Sequence, residues 1–135
     1  MYISRYVVLV MLCVPLFACS TQAWDGYSPV EAASLQALGL SSVEASHFRK
    51  MGFTSGTIQD WYDAGFLANN DITAWHDAGF AVDDARQWRE AGFEFEAARS
   101  WKKESFYAKE AQGWHERGFD LLQAKKLRAQ GLSTQ

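Results

Sequence analysis

The chain has 135 residues, 48% apolar and 21% charged, and 13 Lys and Arg against 16 Asp and Glu leave a formal net charge of −3. Six Trp and nine Phe supply large apolar units for a core, while two Pro and ten Gly are too few for a linker-like chain; disordered, collagen-like and disulfide-stapled classes are excluded. The length suits a single domain, and the negative charge argues against nucleic acid as a partner.

The first segment, MYISRYVVLVMLCVPLFACSTQA, carries Arg5 and the amino terminus as its positive charges, followed by an uncharged run of 13 residues from Tyr6 to Ala18. A membrane-spanning helix needs about 20 apolar residues, so this run has the size of the hydrophobic region of an export signal. Leu16-Phe17-Ala18-Cys19 at its end resembles the lipobox of bacterial lipoprotein signals, in which a small residue precedes the cysteine whose thiol is acylated. Phe17 is bulkier than the usual residue there. The resemblance covers this segment alone. It implies a signal peptide over 1–18, a lipid on Cys19 and, because Ser20 rather than Asp follows, an outer-membrane address. Once 1–18 are removed Cys19 is the only cysteine left, so no internal disulfide can form, and acylation gives an otherwise unpaired thiol a use in an oxidising compartment. Cleavage after Thr21-Gln22-Ala23 is the alternative and would release a secreted protein.

After a short tether over 19–27, residues 28–132 are one tandem repeat. WYDAGF, WHDAGF and WREAGF are its clearest copies. Taking the Trp as an index, the equivalent residues are Leu35, Phe48, Trp61, Trp75, Trp88, Trp101, Trp114 and Leu127, spaced 13 apart except for one interval of 14. Four positions later stand seven glycines and Ser105, and five positions later Leu40, Phe53, Phe66, Phe80, Phe93, Phe106, Phe119 and Leu132. Residues 133–135 form a tail.

Each copy carries its own start and stop. Ser28-Pro29-Val30-Glu31 and Ser41-Ser42-Val43-Glu44 have capping-box spacing, the hydroxyl accepting from the third amide of the helix while the Glu reaches back, and Pro29 takes the first helical position. The glycine suits the left-handed residue that ends a helix, and the Phe after it then packs back on the index Trp. A single long helix is excluded. Thirteen residues rotate by about 220° beyond whole turns, which would send successive Trp to nearly opposite sides. Ser105 in place of glycine predicts a strained turn over 104–107. One Trp and one Phe bury too little to order 13 residues alone, so the copies must stack. The expected fold is all-α: a tandem array of about eight short helices, as a solenoid or compact helical bundle.

The polar positions suggest a surface. Residues two before and one after the index lie three apart on one helical face. In the last four copies they are Arg86 and Arg89, Arg99 and Lys102, Gln112 and His115, and Lys125 and Arg128. Residues 25–98 hold 12 acids and 4 bases, whereas 99–128 hold 8 bases and 4 acids. Arg86, Arg89, Arg99, Lys102, His115, Lys125 and Arg128 are therefore the candidate anion- or partner-binding ladder, facing an envelope protein or an anionic envelope polymer. The alternative is a solvated face with local pairs such as Arg86 with Glu90.

No catalytic, metal or nucleotide motif is present, and no cofactor is implied. The three His stand in different copies without ligand-spaced partners, and Asp83, Asp84, Glu94 and Glu96 fall near helix starts, where the helix dipole favours negative charge. The expected protein is a non-enzymatic, membrane-anchored lipoprotein that binds or scaffolds at the bacterial cell envelope. Alternatives are an envelope enzyme or binder acting on peptidoglycan or another glycan, and a secreted effector or toxin-neutralising protein.

Overall fold

The structure is a computed structural model and describes residues 24–134. Leu16-Phe17-Ala18-Cys19 and the signal expected over 1–18 lie outside the described residues. Eight helices of nine residues each follow in order: α1 (Pro29–Ala37), α2 (Ser42–Lys50), α3 (Ser55–Asp63), α4 (Asn69–Asp77), α5 (Val82–Glu90), α6 (Phe95–Lys103), α7 (Ala108–Glu116) and α8 (Leu121–Ala129). Among the described residues there is no strand, and no helix is long and apolar enough to cross a membrane. The all-helical tandem array expected from the 13-residue period is what forms.

The stop signal works identically in every copy. In the third, the Phe66 amide donates to the Trp61 carbonyl at 3.0 Å and the Gly65 amide to the Tyr62 carbonyl at 2.9 Å, the paired bonds of a Schellman turn. The corresponding bond from the residue after the turn to the index carbonyl recurs from Leu40 to Leu35 through Leu132 to Leu127. Such a turn needs one residue at positive φ, which a Cβ disfavours, so the position is glycine in seven copies, with φ between 78° and 91°. Ser105, in the sixth copy, adopts φ 62°. The strain expected over 104–107 is thus localised in that residue, while the turn survives: Ser105 donates to the Lys102 carbonyl at 2.8 Å and Phe106 to the Trp101 carbonyl at 3.2 Å.

Helix starts are more varied. The two expected capping boxes are present, with the Ser28 amide 2.9 Å from Glu31 Oε2 and the Ser41 amide 2.8 Å from Glu44 Oε2. Thr54 with Thr57 and Asp120 with Gln123 form two more. Ala68, Ala81, Glu94 and Tyr107 cap α4 to α7 without a side-chain bond, so those helices rely on packing for their starts.

The described residues fall into two compact units, 24–47 and 48–134. In the first, Leu35, Leu40 and Ala45 are buried, and the Trp24 and Tyr27 rings meet edge to face at 5.6 Å. The second has an aromatic core in which Phe66 and Phe93 each bridge two indoles. Phe66 lies edge-on to Trp61 at 4.9 Å, inside its own copy, and to Trp75 at 5.7 Å in the next. Phe93 repeats this with Trp88 at 5.2 Å and Trp101 at 5.8 Å. Beneath the rings, the residue three before the index completes the buried set as Ile58, Ile72, Ala85, Ala98, Ala111 and Ala124. α7 packs against both α5 and α6, so helices meet their second neighbours as well as their first. Burial fades in the last copy, where Leu127 is half-buried and Leu132 is 52% exposed.

Candidate functional site

The residue immediately after the index lies over the Phe two copies earlier. His76 meets Phe53 with ring centroids 4.3 Å apart, and His115 meets Phe93 at 5.7 Å. The Arg89 guanidinium stands 4.4 Å from the Phe66 centroid, the Lys102 ammonium 4.4 Å from that of Phe80, and the Arg128 guanidinium 3.6 Å from that of Phe106. Cations favour the negative face of an aromatic ring, and here the rings belong to the buried core, so the cation covers the core edge and tethers one copy to another.

The polar ends of these side chains are engaged too. Arg89 donates to the Gly65 carbonyl at 3.1 Å, and Arg128 donates to the Ser105 carbonyl at 3.1 Å and the Glu104 carbonyl at 2.6 Å. Those carbonyls lie at the C-terminal turns of α3 and α6, where the helix dipole favours positive charge. Lys102 pairs with Asp84 on the preceding copy, and Arg128 with Glu110 at 3.5 Å in the equivalent place.

The residues two before the index behave differently. Arg86 bonds Asp83 at 3.0 Å and Glu90 at 3.1 Å on its own helix, and Asp83 first, then Glu90, raises its pKa above the ordinary guanidinium value. Arg99 pairs with Glu96 at 2.8 Å and lies 5.7 Å from the Phe95 centroid. Lys125 crosses to Glu104 at 2.6 Å, and this bond is the main cause holding the Glu104 carboxyl below its usual value. The ladder of Arg86, Arg89, Arg99, Lys102, His115, Lys125 and Arg128 therefore divides in two. Arg89, Lys102, His115 and Arg128 clasp earlier copies, and Arg86 and Arg99 pair along their own helices. Lys125 sits at the second kind of position but, like the first kind, reaches another copy.

The clasp is not among the features expected from sequence. Its signal was present, as His76, Arg89, Lys102, His115 and Arg128 follow Phe residues at a separation of 22 or 23, but a ring two copies away becomes a neighbour only when helices pack on second neighbours.

A cleft of about 190 Å³ opens in the second unit beside Phe53, Thr57, Asp60, Trp61, His76 and Phe80. Its walls include the core rings of Phe53, Trp61 and Phe80, all at most 6% exposed, and Asp60 supplies an exposed carboxylate. Among the described residues, no group of three or more His, Cys, Asp or Glu is placed to hold a metal ion. Comparison with known proteins finds no match, whether to a family model, to a curated protein or to a solved structure.

Proposed function

We propose that the chain is a lipid-anchored binding or scaffolding module of the bacterial cell envelope, attached through Cys19 and presenting the helical array as a recognition surface. The observation that carries the reading is the pairing of two features. The segment Leu16-Phe17-Ala18-Cys19 precedes a chain with no further cysteine, and residues 28–132 fold as short helices whose recurring positions are spent on packing. Repeats of this kind devote their core to stacking and leave loops and outer helix faces for contact, which supports binding over chemistry.

The basic ladder supports a narrower part of the reading. Five of its seven residues, Arg86, Arg99, Lys102, Lys125 and Arg128, pair with a carboxylate within the fold, so an anionic polymer would there have to compete with Asp83, Asp84, Glu90, Glu96, Glu104 and Glu110. A partner protein is thus the better-supported ligand.

The test is metabolic labelling with radioactive palmitate of the full-length chain and of Cys19→Ser in a bacterial host, followed by fractionation. The expected result is label and membrane association for the parent, both lost in Cys19→Ser. An unlabelled parent, recovered soluble and beginning after Ala23, would replace the anchored reading with the secreted one.

A further inference from the structure

The cleft beside Phe53 has a counterpart two copies on, because the repeat maps each lining residue to another. Phe53 corresponds to Phe80, Thr57 to Asp84, Asp60 to Gln87, Trp61 to Trp88, His76 to Lys102 and Phe80 to Phe106. At the second place the chain fills the site itself: the Lys102 ammonium stands 4.4 Å from the Phe80 centroid and pairs with Asp84. Arg128 does the same over Phe106, with Glu110 as its acid.

At the first place both halves of that pair are missing. His76 is shorter than lysine and stops over Phe53, its Nδ1 lying 3.3 Å from Asp77. Thr57 reaches less far than aspartate and carries no charge, and its hydroxyl is spent on the start of α3, donating to the Thr54 carbonyl at 3.0 Å. What remains is the open volume of about 190 Å³. A carboxylate is still present, supplied from a different position by Asp60, which corresponds to Gln87 in the filled copy. Among the described residues no cation pairs with Asp60, unlike Asp84 and Glu110.

We infer that this cleft takes the cationic head of a lysine or arginine side chain presented by a partner polypeptide, with Asp60 as its counter-ion and the rings of Phe53, Trp61 and Phe80 as its walls. The occupant is chosen by the chain's own solution, since over Phe66, Phe80 and Phe106, three of the four equivalent places, the filling group is a Lys or Arg reaching over from another helix, His115 over Phe93 being the fourth. A neutral apolar group would leave Asp60 unpaired at the rim, and an anion would meet its charge. The inference goes beyond the anchored-module reading and does not depend on the anchor, so its failure and the failure of palmitate labelling are separate results.

The test titrates the full-length chain with Nα-acetyl-lysine amide, Nα-acetyl-arginine amide and the neutral isostere Nα-acetyl-norleucine amide, following the Trp61 indole N–H resonance. The expected result is a saturable shift with both cations, at least about tenfold weaker with norleucine amide, as a cation–π contact with a charge partner implies. Asp60→Asn, at an exposed position, keeps the fold and weakens the cations to the level of the neutral probe. The double variant His76→Lys with Thr57→Asp rebuilds the internal pair, fills the cleft and abolishes the shift while melting no lower than the parent. The inference is overturned if the cations give no shift up to about 100 mM, a concentration that would detect even millimolar binding. It is equally overturned if norleucine amide binds as well as they do, or if Asp60→Asn binds them unchanged.

Discussion

Arg128 places its guanidinium 3.6 Å from the centroid of Phe106, a residue two copies earlier, and in the same pose donates to the carbonyls of Glu104 and Ser105. One side chain thereby covers a core ring, satisfies the carbonyl end of α6 and neutralises Glu110 at 3.5 Å. Replacing it removes a cation–π contact and two charge-assisted hydrogen bonds from a partly covered site. Arg128→Gln should cost about 2 kcal/mol in urea unfolding. Arg86→Gln, which removes only same-helix pairs at an exposed position, should shift the urea midpoint far less. Equal costs for the two would show that the clasp contributes nothing beyond an ordinary surface pair.

The turn that Arg128 holds is the one with the wrong residue for its backbone. Ser105 sits at φ 62° where the other seven copies have glycine. Its left-handed conformation is disfavoured by its Cβ, so Ser105→Gly should stabilise the chain by about 1 kcal/mol. The reciprocal change tests the same cause. A Cβ on Gly92 would meet nothing within 4 Å, so Gly92→Ala has no steric clash to relieve and should cost about 1 kcal/mol through backbone strain alone. Thermal unfolding of the two variants checks the opposite signs.

Much of this was legible in the sequence because the signals are local. The turn after each index residue is encoded by one glycine and one Phe, and the bonds that close it span five residues, as from Phe66 to Trp61. The site was less legible because its determinants are not local. Whether Lys102 faces solvent or Phe80 depends on packing between second-neighbour helices, which the 13-residue period does not specify, and a face defined by positions on one helix groups Arg99 with Lys102 although they serve different partners. The cleft was invisible for a related reason. It exists through what His76 and Thr57 fail to fill, and that shows only against the filled copy built from Lys102 and Asp84.

The core makes a stronger prediction. Trp88 is 1% exposed and its ring lies 5.2 Å from that of Phe93, which in turn reaches Trp101. Trp88→Ala should cost about 3 to 5 kcal/mol, the usual penalty for emptying a large buried aromatic site. Because neighbouring copies share these rings, the loss should spread. Hydrogen exchange should accelerate in α6 and α7 as well as α5, and acceleration confined to α5 would mean that each copy is stabilised on its own.

The Lys125 to Glu104 pair predicts how stability changes in acid. Glu104 has its pKa lowered in the folded state, first by its bond to Lys125 and further by the charges of Lys125, Lys103 and Arg128. A carboxyl whose folded value lies below its unfolded value stabilises the fold above the unfolded value, near pH 4.3 for glutamate, and that contribution is lost as pH falls through the folded value. Lys125→Gln removes the chief cause of the lowering. The parent should therefore be more stable than Lys125→Gln near neutral pH, and the difference should shrink below about pH 4 as Glu104 becomes protonated in both. Because the pair is at the surface, the difference should also diminish in high salt. A gap between the two urea midpoints that stays constant from neutral pH into acid would show that Lys125 acts through packing and not through the Glu104 carboxylate.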